Sequence, residues 1–199
     1  MRKLNQALTI ATMAVCLALP TTVMAAGNQA HVGLTNTSGA TYINNTRYST
    51  SGTGVNIGSD ITISKQLGLM LGYRTATVNS SSVSSSISHT NIGMRYRLDN
   101  TTSTYFSANR AAVSDNSETL FMLGAMHHMN LGGASTLVFS AGTSTSNLLD
   151  DLALGADFSA PIMDALVLNL GYQSNVTSLG KSSTTATSSG FNISINSRF

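Results

Sequence analysis

The sequence predicts an all-β chain: an antiparallel up-and-down barrel of ten strands that crosses a membrane, with eight or twelve strands as the alternatives. Three observations lead there. Segments of roughly ten residues alternate between oily and polar side chains, and successive side chains of a strand point to opposite faces. Only 9% of the chain is charged, against about 25% in soluble domains. Past the first 25 residues, no apolar run approaches the ~18 residues of a helical span. A closed barrel is the other way across hydrocarbon, because it pairs every backbone donor and acceptor internally.

Residues 1–25 read as an export signal that is removed. Arg2 and Lys3 supply its positive start, residues 8–19 (LTIATMAVCLAL) its apolar stretch, Pro20 the break, and Val23-Met24-Ala25 a cleavage site. Cys16, the only cysteine, falls inside the apolar stretch, so the mature chain carries no disulfide, thiolate nucleophile or cysteine-based metal site. Removing Arg2 and Lys3 from the ten basic residues leaves eight, matching the eight acidic ones. A neutral chain lacks the basic face that a nucleic-acid partner needs. Residues 26–40 are polar with a brief alternation at Val32 and Leu34. They are expected to form an N-terminal tail, a strand extension or a plug ahead of a barrel over 41–199.

The elements follow in order. A weak alternation over 41–49 (Tyr42, Tyr48) marks the first strand. Residues 54–64 carry Val55, Ile57, Ile61 and Ile63 on one face; Lys65-Gln66 turns the chain. Residues 67–78 carry Leu67, Leu69, Leu71 and Tyr73, followed by a Ser-rich stretch over 79–86. Residues 87–98 carry Ile92, Met94, Tyr96 and Leu98, and Asp99-Asn100-Thr101 has turn chemistry. Over 103–113 the facing is ambiguous, since Phe106 and Ala108 share a parity with Arg110. After a loop at 114–118, residues 119–131 carry Phe121, Leu123, Ala125, Met129 and Leu131. Gly132-Gly133-Ala134 turns into 135–146 (Leu137, Phe139, Ala141), with a loop at 147–151. Residues 152–160 carry Leu152, Leu154, Ala156 and Phe158. A turn at 161–165 opens with Pro161, which cannot donate to a ladder. Residues 166–177 carry Leu166, Leu168, Leu170 and Tyr172, then a Ser/Thr-rich loop spans 178–188.

The last segment, GFNISINSRF, places Phe191, Ile193, Ile195 and Phe199 at spacing two and stops on an aromatic residue. It resembles the C-terminal signal of bacterial outer-membrane β-barrels, a resemblance of general architecture that spans the mature chain. The resemblance implies that Phe191, Ile193, Ile195 and Phe199 form an assembly signal. It also implies that the chain deals with periplasmic chaperones and the barrel-assembly machinery, and that it sits among outer-membrane lipid and lipopolysaccharide. In such barrels the C-terminus is periplasmic, turns on that side are short and outer loops longer. The tight turns at 65–66, 99–101, 132–134 and 161–165 all fall on that side.

With the oily face outside, the other parity lines the lumen. It carries Asp60, Arg74, Arg95, Arg97, His128, Asp157 and Arg198, with Arg47 as a further candidate. Buried charges need partners or water, so these residues predict a charge network that stiffens the barrel. The surplus of Arg gives any narrow passive pore a weak preference for anions. Gly58, Gly68, Gly72, Gly93, Gly155 and Gly171 share this parity and leave room for long side chains. Tyr73, Tyr96 and Tyr172 are placed as aromatic girdles. His127 and His128 are adjacent, so they point to opposite faces and cannot share a metal. A hydrolase or acyltransferase would have to draw on His89, Asp115, Glu118, Asp150 and Asp151. No cofactor, metal site or catalytic set is expected. Loops rich in Ser, Thr and Asn leave surface interaction or adhesion as the alternative role.

Overall fold

The computed structural model describes residues 28–43, 46–80, 83–113, 116–145, 149–179 and 185–198. They form ten strands: β1 (Gln29–Ile43), β2 (Thr46–Thr62), β3 (Leu67–Ser80), β4 (Val83–Arg97), β5 (Thr102–Val113), β6 (Asn116–Gly132), β7 (Ser135–Thr145), β8 (Leu149–Met163), β9 (Leu166–Leu179) and β10 (Thr185–Arg198). Each pairs antiparallel with its sequence neighbours, and β10 closes on β1 from Gln29↔Arg198 to Tyr42↔Thr185. No sheet edge remains, as a membrane interior demands. The pairing runs obliquely. Ala160 pairs with Leu168, Leu168 with Ile195, Ile195 with Val32, Val32 with Ile57, Ile57 with Tyr73, Tyr73 with Thr90, Thr90 with Arg110 and Arg110 with Thr119. This row starts near the terminal end of the barrel and climbs toward the other, so the strands are tilted.

The wall is turned inside out relative to a soluble barrel. Val32 and Leu34 on β1 are 61% and 60% exposed, and Ile57, Ile92, Leu123, Leu154 and Ile193 are likewise exposed, while Thr35, Asn91, Ser107, Asn169 and Asn192 are buried inside. The ambiguous strand resolves the same way: Phe106 and Arg110 face out, and Ser103, Tyr105, Ser107, Asn109 and Ala111 face in.

The tight turns are held locally. Ser64 Oγ accepts from the amides of Gln66 and Leu67 at 3.3 and 3.1 Å. Asp99 accepts from the amides of Thr101 and Thr102 at 2.6 and 2.7 Å and from the Thr101 hydroxyl at 2.9 Å. At the β6–β7 turn, Gly132, Gly133 and Ala134 have positive φ of 89°, 56° and 63°. Glycine adopts this region without a Cβ penalty.

Three expectations need correction. The first strand is not 41–49, which straddles the connection between β1 and β2; it is Gln29–Ile43, bonded to β2 on one side and β10 on the other. Nor are 79–86, 147–151 and 178–188 long loops. Most of these residues continue the strands, and the rest lie outside the described residues. Strands reach 17 residues. At about 3.3 Å per residue and a tilt near 40°, that is roughly 40 Å of height, against an apolar band of about 25 Å. The surplus is visible on the outer wall: beyond Val55 on β2 stand Thr53, Ser51 and Ser49, and beyond Ile92 on β4 stand Thr90, Ser88 and Ser86. Pro161 also lies inside β8, beside a register shift between Pro161 and Met163 that accommodates its missing donor.

Candidate functional site

The lumen holds the groups that carry chemistry, and glycines decide how it is filled. Asp60 on β2 and Arg95 on β4 are separated by β3, where Gly68 stands between them. A Cβ on Gly68 would lie 3.2 Å from both the Arg95 Nη2 and Asp60 Oδ1 atoms. Over that gap the two side chains form a fork, Nη1 to Oδ2 at 2.7 Å and Nη2 to Oδ1 at 3.1 Å, with both nearly fully buried. A bidentate arginine–carboxylate pair is the strong form of such a contact.

The same device recurs. Asn56 on β2 donates to Asn192 Oδ1 on β10 at 3.1 Å, crossing β1 beside Gly33. Arg74 on β3 donates to Thr35 Oγ1 on β1 at 2.8 Å, crossing β2. Asn91 donates to Asn109 on the neighbouring strand, and Asn109 to Ser107 at 3.2 Å. Tyr105 reaches as far: its ring covers Gly124 on β6, and its hydroxyl reaches Gly142 on β7.

Around Tyr105 the interior changes character. Met70, Tyr105, Met122, Met126, Val138 and Ala153 form one buried apolar cluster on β3, β5, β6, β7 and β8. The Tyr105 hydroxyl donates to Met122 Sδ at 3.7 Å. The opposite side, on β9, β10, β1 and β2, is lined by Asn169, Gln173, Asn175, Asn192, Ser194, Asn196, Thr35, Thr37 and Asn56, all buried. A water-filled channel would leave its lining accessible to a water-sized probe. These residues are at most 9% exposed to one.

Of the charges expected in the lumen, Asp60, Arg74, Arg95 and Asp157 are buried within it, and Arg97 and His128 are half-buried on the same parity near the terminal end. Arg198 belongs to β10, but its side chain lies outside the described residues, as does Phe199. Arg47 is the exception: it is exposed on the outward parity of β2, because the strand begins at Thr46 and its inward residues are the even-numbered ones. His127 is exposed and His128 is turned inward. Among the described residues no group of three His, Cys, Asp or Glu side chains could hold a metal. His89 is buried inside the barrel, Glu118 is half-buried, Asp115 lies outside the described residues, and the side chains of Asp150 and Asp151 are not described.

On the outer wall Tyr73, Tyr96 and Tyr172 are exposed. Phenylalanines join them: Phe191 packs against Tyr172 with ring centroids 5.0 Å apart, and Phe106 stacks on Phe121 at 6.1 Å. Tyr73, Phe121 and Phe191 each mark the place where their strand's outward face turns to Ser, Thr and Asn. Phe191, Ile193 and Ile195 all face outward.

A closed antiparallel barrel with an oily wall, a polar and tightly filled interior and aromatic residues at the edge of the oily band has the architecture of a transmembrane β-barrel. No family model matches the chain, and no curated protein does. Among solved structures the chain is similar to the translocator domain of the autotransporter NalP from Neisseria meningitidis, at 13% identity and TM-score 0.48 over 100% of this chain and 95% of that one. It is similar to the β domain of the Bordetella autotransporter BrkA at 14% identity and TM-score 0.49, over 87% and 100% of the two chains. An outer membrane channel from Pseudomonas putida F1 shares 13% identity at TM-score 0.46, over 91% and 99%. Likeness at this level assigns no activity.

Proposed function

We propose that the protein is a structural β-barrel of the bacterial outer membrane with a closed lumen. In this reading residues 1–25 direct export, periplasmic chaperones and the barrel-assembly machinery deliver the chain, and Phe191, Ile193, Ile195 and Phe199 form the strand that the machinery reads. The terminal end faces the periplasm; lipid and lipopolysaccharide surround the wall. No enzymatic role is assigned. The observation that carries the reading is the burial of the inward side chains together with the exposure of the oily ones. Barrels near eight strands are just filled by side chains, whereas sixteen leave a channel, and ten strands lie near the filled end. The anion preference expected from the Arg surplus is muted, because Arg95 is neutralised by Asp60.

Single-channel recording of the refolded barrel tests this. The unmodified protein should hold no stable open level. Replacing Arg95 and Arg97 together with Ala should open one, since their guanidinium groups occupy the terminal mouth. A large, stable conductance in the unmodified barrel would refute the closed lumen. Surface interaction is the second reading, favoured by the hydroxyl-rich wall beyond the aromatic row, where Asn36, Ser38, Ser51, Thr53, Thr77 and Ser86 face outward.

A further inference from the structure

The polar side of the lumen contains one carboxylate that the network leaves aside. Asp157 on β8 is 1% exposed, and its Oδ1 has no hydrogen-bond partner. Its register partner on β9 is Gly171, and the partner of Gly171 on β10 is Asn192. The missing Cβ of Gly171 leaves the space into which the Asp157 carboxylate lies; the Asn192 Nδ2 atom borders the same space, 3.6 Å from where that Cβ would be. One step toward the terminal end, Ser159 pairs with Asn169 and Asn169 with Ser194. Asn169 is 1% exposed and neither end of its carboxamide has a partner. Asp157 and Asn169 are therefore diagonal neighbours on the inner face, about 7–8 Å apart between Cα atoms.

No described cationic side chain pairs with Asp157. Arg95 is taken by Asp60. Arg74 ends on Thr35, with Asn192 between it and the carboxylate. Arg198 stands six residues beyond Asn192 along β10, which is about 20 Å at ~3.3 Å per residue and out of reach. An ionised carboxylate buried without a counter-charge is costly, and either a proton or a bound cation relieves that cost.

The geometry points to a binding site for one small, hard monovalent cation of the sodium class, held by the Asp157 carboxylate and the Asn169 carboxamide oxygen. Oxygen donors suit hard cations. A proton would turn one carboxylate oxygen into a donor and satisfy a single acceptor. A metal cation draws on the carboxylate and the carboxamide oxygen at once, with the Ser159 hydroxyl next in line. The charge selects a monovalent ion: one carboxylate cancels one charge, and a divalent ion would leave a buried surplus on the side that Arg74 approaches.

The test compares unfolding of the full refolded barrel in sodium chloride and in tetramethylammonium chloride at equal ionic strength. Ligand that binds only the folded state multiplies the folded-to-unfolded ratio by 1 + [L]/Kd, about 11-fold at ten times Kd. Sodium should give such a gain over tetramethylammonium in the unmodified protein. Asp157→Asn should abolish the gain and Asn169→Ala should reduce it. Equal responses to the two salts, or a sodium gain that survives Asp157→Asn, would overturn the site. If Asp157→Asn does not assemble, Asn169→Ala decides, and an unchanged sodium gain there overturns it too. A sodium-independent rise in stability for Asp157→Asn would show that the carboxylate is a burden with no bound cation to offset it, and would equally reject the site. Because the comparison reads folding and not current, its failure is separable from a failure of the closed-lumen reading.

Discussion

Tyr105→Ala is the sharpest probe of a filled lumen. Tyr105 is 6% exposed and sits at the centre of the apolar cluster, against Met70, Met122, Met126 and Val138. Its ring covers one glycine and its hydroxyl reaches a second, so neither position beneath it has a side chain to fall into the space left behind. Truncating a large buried aromatic costs about 3–5 kcal/mol, and the upper part of that range belongs to sites that cannot collapse. We expect about 4 kcal/mol for Tyr105→Ala. Tyr105→Phe keeps the ring and loses the hydroxyl with its long contact to Met122, so it should cost much less, about 1 kcal/mol. The assay is urea unfolding in lipid vesicles, followed by circular dichroism and by the mobility difference between folded and heated protein on gels. A Tyr105→Ala barrel within about 1 kcal/mol of the unmodified protein would mean that water already surrounds the ring, and the packed interior would be refuted.

Three further expectations concern the wall, a turn and the end of the chain. Arg at Leu168, inside the oily band, should cost about 2–4 kcal/mol, while Arg at Ser174, outward-facing on the same strand beyond Tyr172, should cost about 0–1 kcal/mol; equal costs in a lipid refolding titration would contradict the facing. Hydrogen bonds from the Thr101 amide and hydroxyl and the Thr102 amide hold the Asp99 carboxyl below the usual carboxylate range. The order of this turn should therefore be fully present above the ordinary carboxylate pKa and be lost as pH falls through the depressed value, which carboxyl NMR titration reads directly. Deleting Phe199 should lower the amount of folded, heat-modifiable protein in outer-membrane fractions without changing the stability of the barrel that does form; normal levels would count against an assembly signal.

The facing of most strands was legible because one face meets lipid and the other does not. That contrast puts Leu69 and Leu71 out, Gly68 and Gly72 in, and it holds from Val55 on β2 to Ile195 on β10. It fails where the contrast itself ends. On β1, Thr35 and Thr37 face in while Asn36 and Ser38 face out, so above Leu34 both faces are polar and a period of two leaves no trace. The Ser-rich stretch at 79–86 read as a loop for the same reason. The apolar cluster escaped notice for the opposite cause. Met70 beside Leu69 and Leu71, and Met122 beside Phe121 and Leu123, make runs that are oily on both faces. Such runs signal a strand buried on its inner side as well, and they were the available clue to a dry sector of the lumen. The Asp60–Arg95 fork depends on two residues meeting across an intervening strand, and only the register reveals that Gly68 lets them touch.

The described strands run on past the aromatic row. The described part of this end is therefore a collar of paired strands. A protease needs a stretch of chain it can pull into extended form, and the described residues of the collar are already engaged with neighbouring strands. A partner at this end would meet a curved palisade of small hydroxyls carried on paired strands. Variation on the collar itself would be written one side chain at a time.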